Sequence, residues 1–301
     1  MAAANGAKLA TAAPLEWAPP VMHAPVIVDL ALAPTQEWWR FPLGQDAIFL
    51  GADTVRTASL GVTGGHNIMV LGGDYQPAGG GHAMAFYDTT GTVWIDGAVI
   101  DMKKTGAGAN DGIDIAGNAA SPPDLYVQNT RIVNVHGSYS KAHSDAVQTQ
   151  GPAGELGFYN VTATTDYQGI FIAPQYQPAI KSATLDNVNL RYTGPVTDTG
   201  SAYSYLLWTL DDPKLEKPYP ITFDNVYVEP RAGQSAIADA VWPDGAAGAV
   251  QHGDHIGWPG LPYSGSVTVG SHADFADGSM IGLDFHDAPM LIDAASHGWL
   301  L

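Results

Sequence analysis

A short apolar phrase that runs into Gly or Asn and then resumes with another apolar residue returns six times along this chain. It reads Val70-Leu71-Gly72-Gly73, Ile95-Asp96-Gly97-Ala98, Val127-Gln128-Asn129-Thr130, Phe158-Tyr159-Asn160-Val161, Leu185-Asp186-Asn187-Val188 and Phe223-Asp224-Asn225-Val226. The anchors Gly73, Gly97, Asn129, Asn160, Asn187 and Asn225 recur at uneven intervals within the range of stacked-repeat architectures. Each phrase therefore predicts one coil of an all-β solenoid, with loops of variable length between coils.

A second phrase follows the middle anchors: Asp111-Gly112-Ile113-Asp114-Ile115, Asp145-Ala146-Val147-Gln148-Thr149, Gln168-Gly169-Ile170-Phe171-Ile172, and more loosely Tyr205-Leu206-Leu207-Trp208-Thr209. Successive side chains of a strand alternate between faces. Stacking these phrases in register puts Ile113, Val147, Ile170 and Leu207 inward, and Asp114, Gln148, Phe171 and Trp208 outward. His82-Ala83-Met84-Ala85-Phe86 fits as the preceding member, which sets His82 one coil above Asp111. The longest insertions, Lys103 to Asn110, Gly137 to Ser144 and Thr193 to Ser204, lead into these strands and mark a working face.

Composition agrees with strands: Gly 35 and Pro 21 break the chain often, and no long stretch has helical periodicity. Lys and Arg total 12 against 30 Asp and Glu, a formal charge of −18 with no basic cluster. That excludes nucleic acid and anionic membrane surfaces as partners, since both require grouped cations. No segment approaches the ~18 apolar residues of a membrane span, so membrane insertion is not expected. With no Cys, disulfides, thiolate metal sites and Cys nucleophiles are ruled out.

The first residues lack the apolar run of a signal peptide. Residues 1–45, rich in Ala and Pro, read as an extended lead-in and N-terminal cap, with the Trp38-Trp39 pair assigned to cap packing more than to sugar stacking. Residues 46–301 read as a single domain whose regular coils run to about residue 232 and turn irregular after Gln234. The His252-Gly253-Asp254-His255 segment there is a poor zinc site by spacing.

These coils, with Asn at one turn and an outward Asp column, resemble the right-handed parallel β-helix proteins of the pectate lyase and polygalacturonase type. Asn110-Asp111-Gly112-Ile113 is similar to the Asn-Thr-Asp-Gly strand of polygalacturonases, which maps a catalytic Asp onto Asp111. Ser144-Asp145 falls where those enzymes carry an Asp pair, which maps the second Asp onto Asp145. Ser144 replaces the first of that pair, Gln168 stands where Gly-His-Gly is expected, and no Arg-Ile-Lys triplet follows. His143-Ser144-Asp145-Ala146-Val147-Gln148 also resembles the His-x-Asp-x-x-Gln strand of β-helix proteins described as polysaccharide lyases. The resemblance implies a polysaccharide partner and an extracellular or envelope location, with adhesins and phage tail proteins sharing the scaffold.

The column itself permits two chemistries. Asp111 and Asp145 on neighbouring coils would repel and separate in pKa, giving an acid and a base for hydrolysis; equally, both Asp side chains could simply hydrogen-bond the turns that begin their strands. Elimination from a uronic acid needs a base, an acid and a group to neutralise the carboxylate: Lys141, His143 and Arg131 are candidates, with Gln148 or Gln168 as amide partners. Asp111, Asp114 and Asp145 together could hold a Ca2+ ion. Phe171, Tyr205 and Trp208, with His82 at the other end, extend the face as sugar subsites. Catalysis is thus expected of Asp145, His143, Asp111 and Lys141, and binding of Gln148, Gln168, Asp114, Phe171, Trp208, His82 and Arg131.

Overall fold

The computed structural model describes residues 14–79, 81–104, 111–172, 180–194, 203–210 and 218–279. Asn110 of the Asp111 motif, and most of the insertions 103–110 and 193–204, lie outside them. Of the described residues, 46% are strand and 4% helix, arranged in two largely parallel sheets. The path alternates between them: a segment of the large sheet, a turn, a segment of the small sheet, and back one step further along.

In the large sheet, Val26–Asp29, Ala47–Leu50, Ile68–Leu71, Thr92–Asp96, Asp124–Val135, Glu155–Thr165, Ser182–Tyr192 and Ile221–Glu229 follow one another in space. The small sheet interleaves Trp38–Phe41, Leu60–Gly64, Met84–Tyr87, Ile113–Ala116, Val147–Thr149, Ile170–Ile172, Leu207–Trp208 and Val241–Trp242. Every one of these neighbouring pairs is parallel. Both sheets thus begin before residue 46. Beyond Gln234, where the repeat was no longer readable, Tyr263–Val269 pairs parallel with Ile221–Glu229, and an antiparallel hairpin of Val250–His252 and His255–Gly257 completes the edge.

One core lies between the sheets. Leu60, Met84, Ile113, Val147, Ile170, Leu207 and Val241 form an unbroken column in register along the small sheet. All are buried, and they pack against the large-sheet column Phe49, Val70, Ile95, Val127, Phe158, Leu185 and Phe223. The inward column read from the second phrase is therefore the observed one.

The six anchors do one conformational job. Gly73, Gly97, Asn129, Asn160, Asn187 and Asn225 all have positive φ, from 49° to 101°. Only Gly, and next to it Asn, adopts the left-handed region at low cost, which explains the alternation of these two residue types at the repeat. The Asn amides also bond between circuits: Asn160 Nδ2 donates to Asn129 Oδ1 at 3.0 Å, Asn225 to Asn187 at 2.6 Å, and Asn129 to Asp96 at 2.7 Å.

The outer face of the large sheet carries two docked segments. Residues 14–23 run across the outward row Ile48, Met69, Trp94, Tyr126 and Gly157. Met22 is buried against Ile48, Met69, Leu71 and Trp94, while Trp17 stacks on Tyr126 at 5.2 Å. Gly157 makes room for this, since a Cβ there would lie 2.9 Å from the Trp17 ring. Residues 272–279 cross further along, where the Thr162 hydroxyl accepts from the amides of Phe275 and Ala276.

Candidate functional site

The outer face of the small sheet runs Trp38, Gly61, Ala85, Asp114, Gln148, Phe171, Trp208, Trp242 in strict register. Seven steps of ~4.8 Å make this row about 34 Å long. Three residues earlier than the members of this row, at the turn that enters the sheet, stand His82, Asp111, Asp145, Gln168 and Tyr205. The backbone there is tied circuit to circuit, with Gly112 N donating to Asp145 O and Gly169 N to Tyr205 O.

At the middle of the face these two rows converge on a cluster of His82, Asp111, Asp114 and Asp145. His82 Nδ1 lies 2.8 Å from Asp111 Oδ2, and its Nε2 lies 3.6 Å from Asp114 Oδ2. The Asp111 amide is 3.3 Å from the same Nδ1; the shorter carboxylate contact places a proton on that nitrogen. Asp111 Oδ1 accepts the Asp145 amide at 2.7 Å, so Asp111 does serve the turn, as the structural reading of this Asp foresaw, and holds the imidazole with its other oxygen. The Tyr87 hydroxyl donates to Asp114 Oδ2 at 2.7 Å.

Asp114 and Asp145 are fully buried, and neither oxygen of the Asp145 carboxyl has a hydrogen-bond partner. Burial, followed by the charges of Asp111 and Asp114, pushes Asp145 well above the ordinary carboxylate range. Burial likewise raises Asp114, to about 6, against the opposing pull of His82 and the Tyr87 hydrogen bond. Burial alone would lower His82; the hydrogen bond and charge of Asp111, joined by Asp114, outweigh it and raise the imidazole. Desolvation and the neighbouring Asp114 charge raise the Tyr87 phenol.

Aromatic rings flank the cluster on both sides. Towards the start of the chain, Trp38 is part exposed and tilts against Tyr87 at 5.7 Å, while Trp39 turns inward onto Phe49. The Trp38-Trp39 pair is thus split between the face and the core. On the other side, Phe171 and Trp208 pack at 4.3 Å and are themselves buried. The rings open to solvent are Tyr203, stacked on Trp208 at 5.9 Å, and Tyr139, stacked on Tyr203 at 5.5 Å; they are 48% and 47% exposed. Tyr203 has a left-handed backbone, φ 65°, and its carbonyl accepts from Gln168 Nε2 at 2.5 Å. A non-Gly residue held in that region is strained and locked by its surroundings.

The expected site residues therefore separate into groups. Asp111, Asp114, Asp145 and His82 come together. Gln148 sits beside them between Asp114 and Phe171, and Gln168 supports the aromatic platform. His143 belongs to that platform as well: it stacks on Tyr139 at 5.5 Å, and its Nε2 lies 3.0 Å from the Tyr139 carbonyl, so it does not hydrogen-bond the Asp145 carboxyl. Lys141 is exposed in the same loop and makes no ion pair among the described residues. Arg131 is not on this face; it lies in the large sheet, where Asp274 pairs with both Arg131 and Arg191.

Tyr87, Tyr139 and Tyr203 escaped the sequence reading. Tyr139 and Tyr203 sit in insertions already singled out as the working face, so an aromatic count of those loops would have found them. Tyr87 has no such signal, because its closeness to Asp114 depends on its lying one circuit back and two residues along. No protein-family model, no curated protein and no solved structure matches this chain.

Proposed function

We propose that this chain is a right-handed parallel β-helix, closed at its N-terminal end by the first circuit, that binds an extracellular or envelope polysaccharide along the small sheet and cleaves it at the His82–Asp111–Asp114–Asp145 cluster. The observation that carries the reading is the placement of that cluster within a face of aromatic rings about 34 Å long. Sugar rings present apolar C–H faces that stack on Tyr and Trp, and the Tyr139–Tyr203–Trp208 stack offers such a platform.

The cluster provides the groups that glycosidic cleavage needs side by side. Asp145 is a carboxyl group whose burial raises its pKa well above the ordinary carboxylate range, and His82 is an imidazole oriented by a carboxylate behind it. A proton donor for the leaving oxygen and an acceptor for a water or a ring proton are thus within one patch. Asp114 and Tyr87, joined by a hydrogen bond, form a second donor–acceptor pair across from the imidazole.

Incubation with a panel of neutral and acidic polysaccharides tests the proposal, read in parallel by the ultraviolet absorbance of unsaturated uronate and by reducing ends. Both signals rising assigns elimination, and reducing ends alone assign hydrolysis. Retention of a polymer with neither signal makes the protein a binding module of the adhesin or tail-protein kind, a result the full burial of Asp114 and Asp145 would then explain.

A further inference from the structure

We propose that His82 Nε2 and Asp114, with Asp111 holding the imidazole from its other nitrogen and the Asp145 carboxyl nearby, form a binding site for one divalent transition-metal ion of the zinc class. One ligand atom from each of His82, Asp111 and Asp114 lies within 4.8 Å of the others. Two ligands on a tetrahedral ion with bonds of ~2.0–2.1 Å stand about 3.3–3.4 Å apart. His82 Nε2 and Asp114 Oδ2, at 3.6 Å, are too far apart for a hydrogen bond and close to that ligand edge.

The other imidazole nitrogen supports the assignment. Histidines that bind metals commonly donate their second ring N–H to a carboxylate, which fixes the tautomer and the ring plane. His82 Nδ1 at 2.8 Å from Asp111 Oδ2 is that arrangement, and it leaves Nε2 with its lone pair towards Asp114.

An independent observation points to a cation. Asp145 is completely buried, and both of its oxygens lack a partner. Buried polar atoms are almost always satisfied, and an orphaned carboxyl beside two others signals an ion or water. The imidazole then selects the class: hard cations such as Ca2+ take oxygen ligands, whereas imidazole suits zinc and its neighbours. The inference shares the cluster with the polysaccharide reading and changes it in one respect, since a bound ion makes His82 a ligand in place of a proton acceptor.

The test uses the full chain stripped with EDTA, without sugar. Calorimetric titration with ZnCl2 should give one equivalent of binding and a raised melting temperature, with CaCl2 at least ~10-fold weaker. Asp111→Asn should weaken zinc by about 10–100-fold, and His82→Gln by about 100-fold or more, whereas His252→Ala should leave it unchanged. In the unaltered protein, zinc should shift the His82 ring signals in NMR and not those of His143, which keeps the test independent of how the variants fold. No stoichiometric binding, binding retained in His82→Gln, or calcium binding as tightly as zinc would each overturn the ion site. Cleavage in the polysaccharide panel, run in EDTA and in zinc, is scored separately, so the loss of one proposal is not read as the loss of the other.

Discussion

Asp145 shows how a single residue can carry a fold's charge problem. In the ion-free protein its raised pKa, and that of Asp114 at about 6, mean that the folded state keeps protons which the unfolded chain releases near pH ~4. The folded state then binds more protons than the unfolded one, so stability is greatest at low pH and declines as the pH rises through these folded values. His82 acts in the same sense: its contribution is complete below the unfolded value of ~6.5 and is lost as the pH passes its raised one. The groups facing Asp145 are Asp111, Asp114 and, on the next circuit, Gln168. Asp145→Asn keeps the shape without the titration and should flatten the decline, read by urea unfolding in EDTA between about pH 4.5 and 7.5. An unchanged slope would mean that Asp145 is not the group whose charge the fold resists. Val147 makes the opposite case: fully inside the Ile113–Val147–Ile170 column, it should not accept Asp, and Val147→Asp should cost several kcal/mol or prevent folding. A soluble, cooperatively folded variant would contradict the register.

At the scale of elements, the strands were legible because alternation and the Gly or Asn anchors are local signals. The position of residues 14–23 was not. An Ala- and Pro-rich lead-in predicts an extended segment, and nothing in Leu15, Trp17 or Met22 says which surface they cover. That choice is made by long-range partners: the Trp17 carbonyl accepts from Trp94 Nε1 at 3.2 Å and Gln128 Nε2 at 2.9 Å, while Gln128 Oε1 accepts the amides of Glu16 and Trp17. The outward apolar residues Ile48, Met69 and Trp94, unusual on a solvent face, were the available clue. Met22→Asp should lift this segment from the sheet, leave the core column folded, and expose the row, giving increased dye binding and aggregation with a loss of about 2–4 kcal/mol. A variant as soluble and stable as the parent would show that the docking contributes nothing. Gly157→Ala should act in the same direction through Trp17, with a smaller effect.

Taken as a molecule, the chain has a charge of −18, and its putting so many carboxylates beside the aromatic face constrains the polymer it can take. Half of the site was readable from sequence, because repetition fixes which residues share a row: the His82, Asp111, Asp145, Gln168 succession follows from aligning the repeated second phrase. Depth was not readable. Phe171 and Trp208 were expected as sugar subsites and instead are buried, Trp208 under Tyr203 and Phe171 packed against Trp208, and Arg131 was expected to meet a uronate and instead meets Asp274. In EDTA, with Arg131 committed elsewhere and His82 held by Asp111, the described part of the cluster offers a polyanion no free cation. A neutral polysaccharide should therefore bind with an affinity that changes little between about 50 and about 500 mM NaCl, while a polyuronate should bind weakly at low salt and improve as the repulsion is screened. Affinity electrophoresis in gels cast with each polymer measures both series on one protein preparation. A polyuronate that binds tightly at low salt and is released by added NaCl would demand a cationic subsite, with Lys141 the first residue to replace, and would favour elimination over hydrolysis.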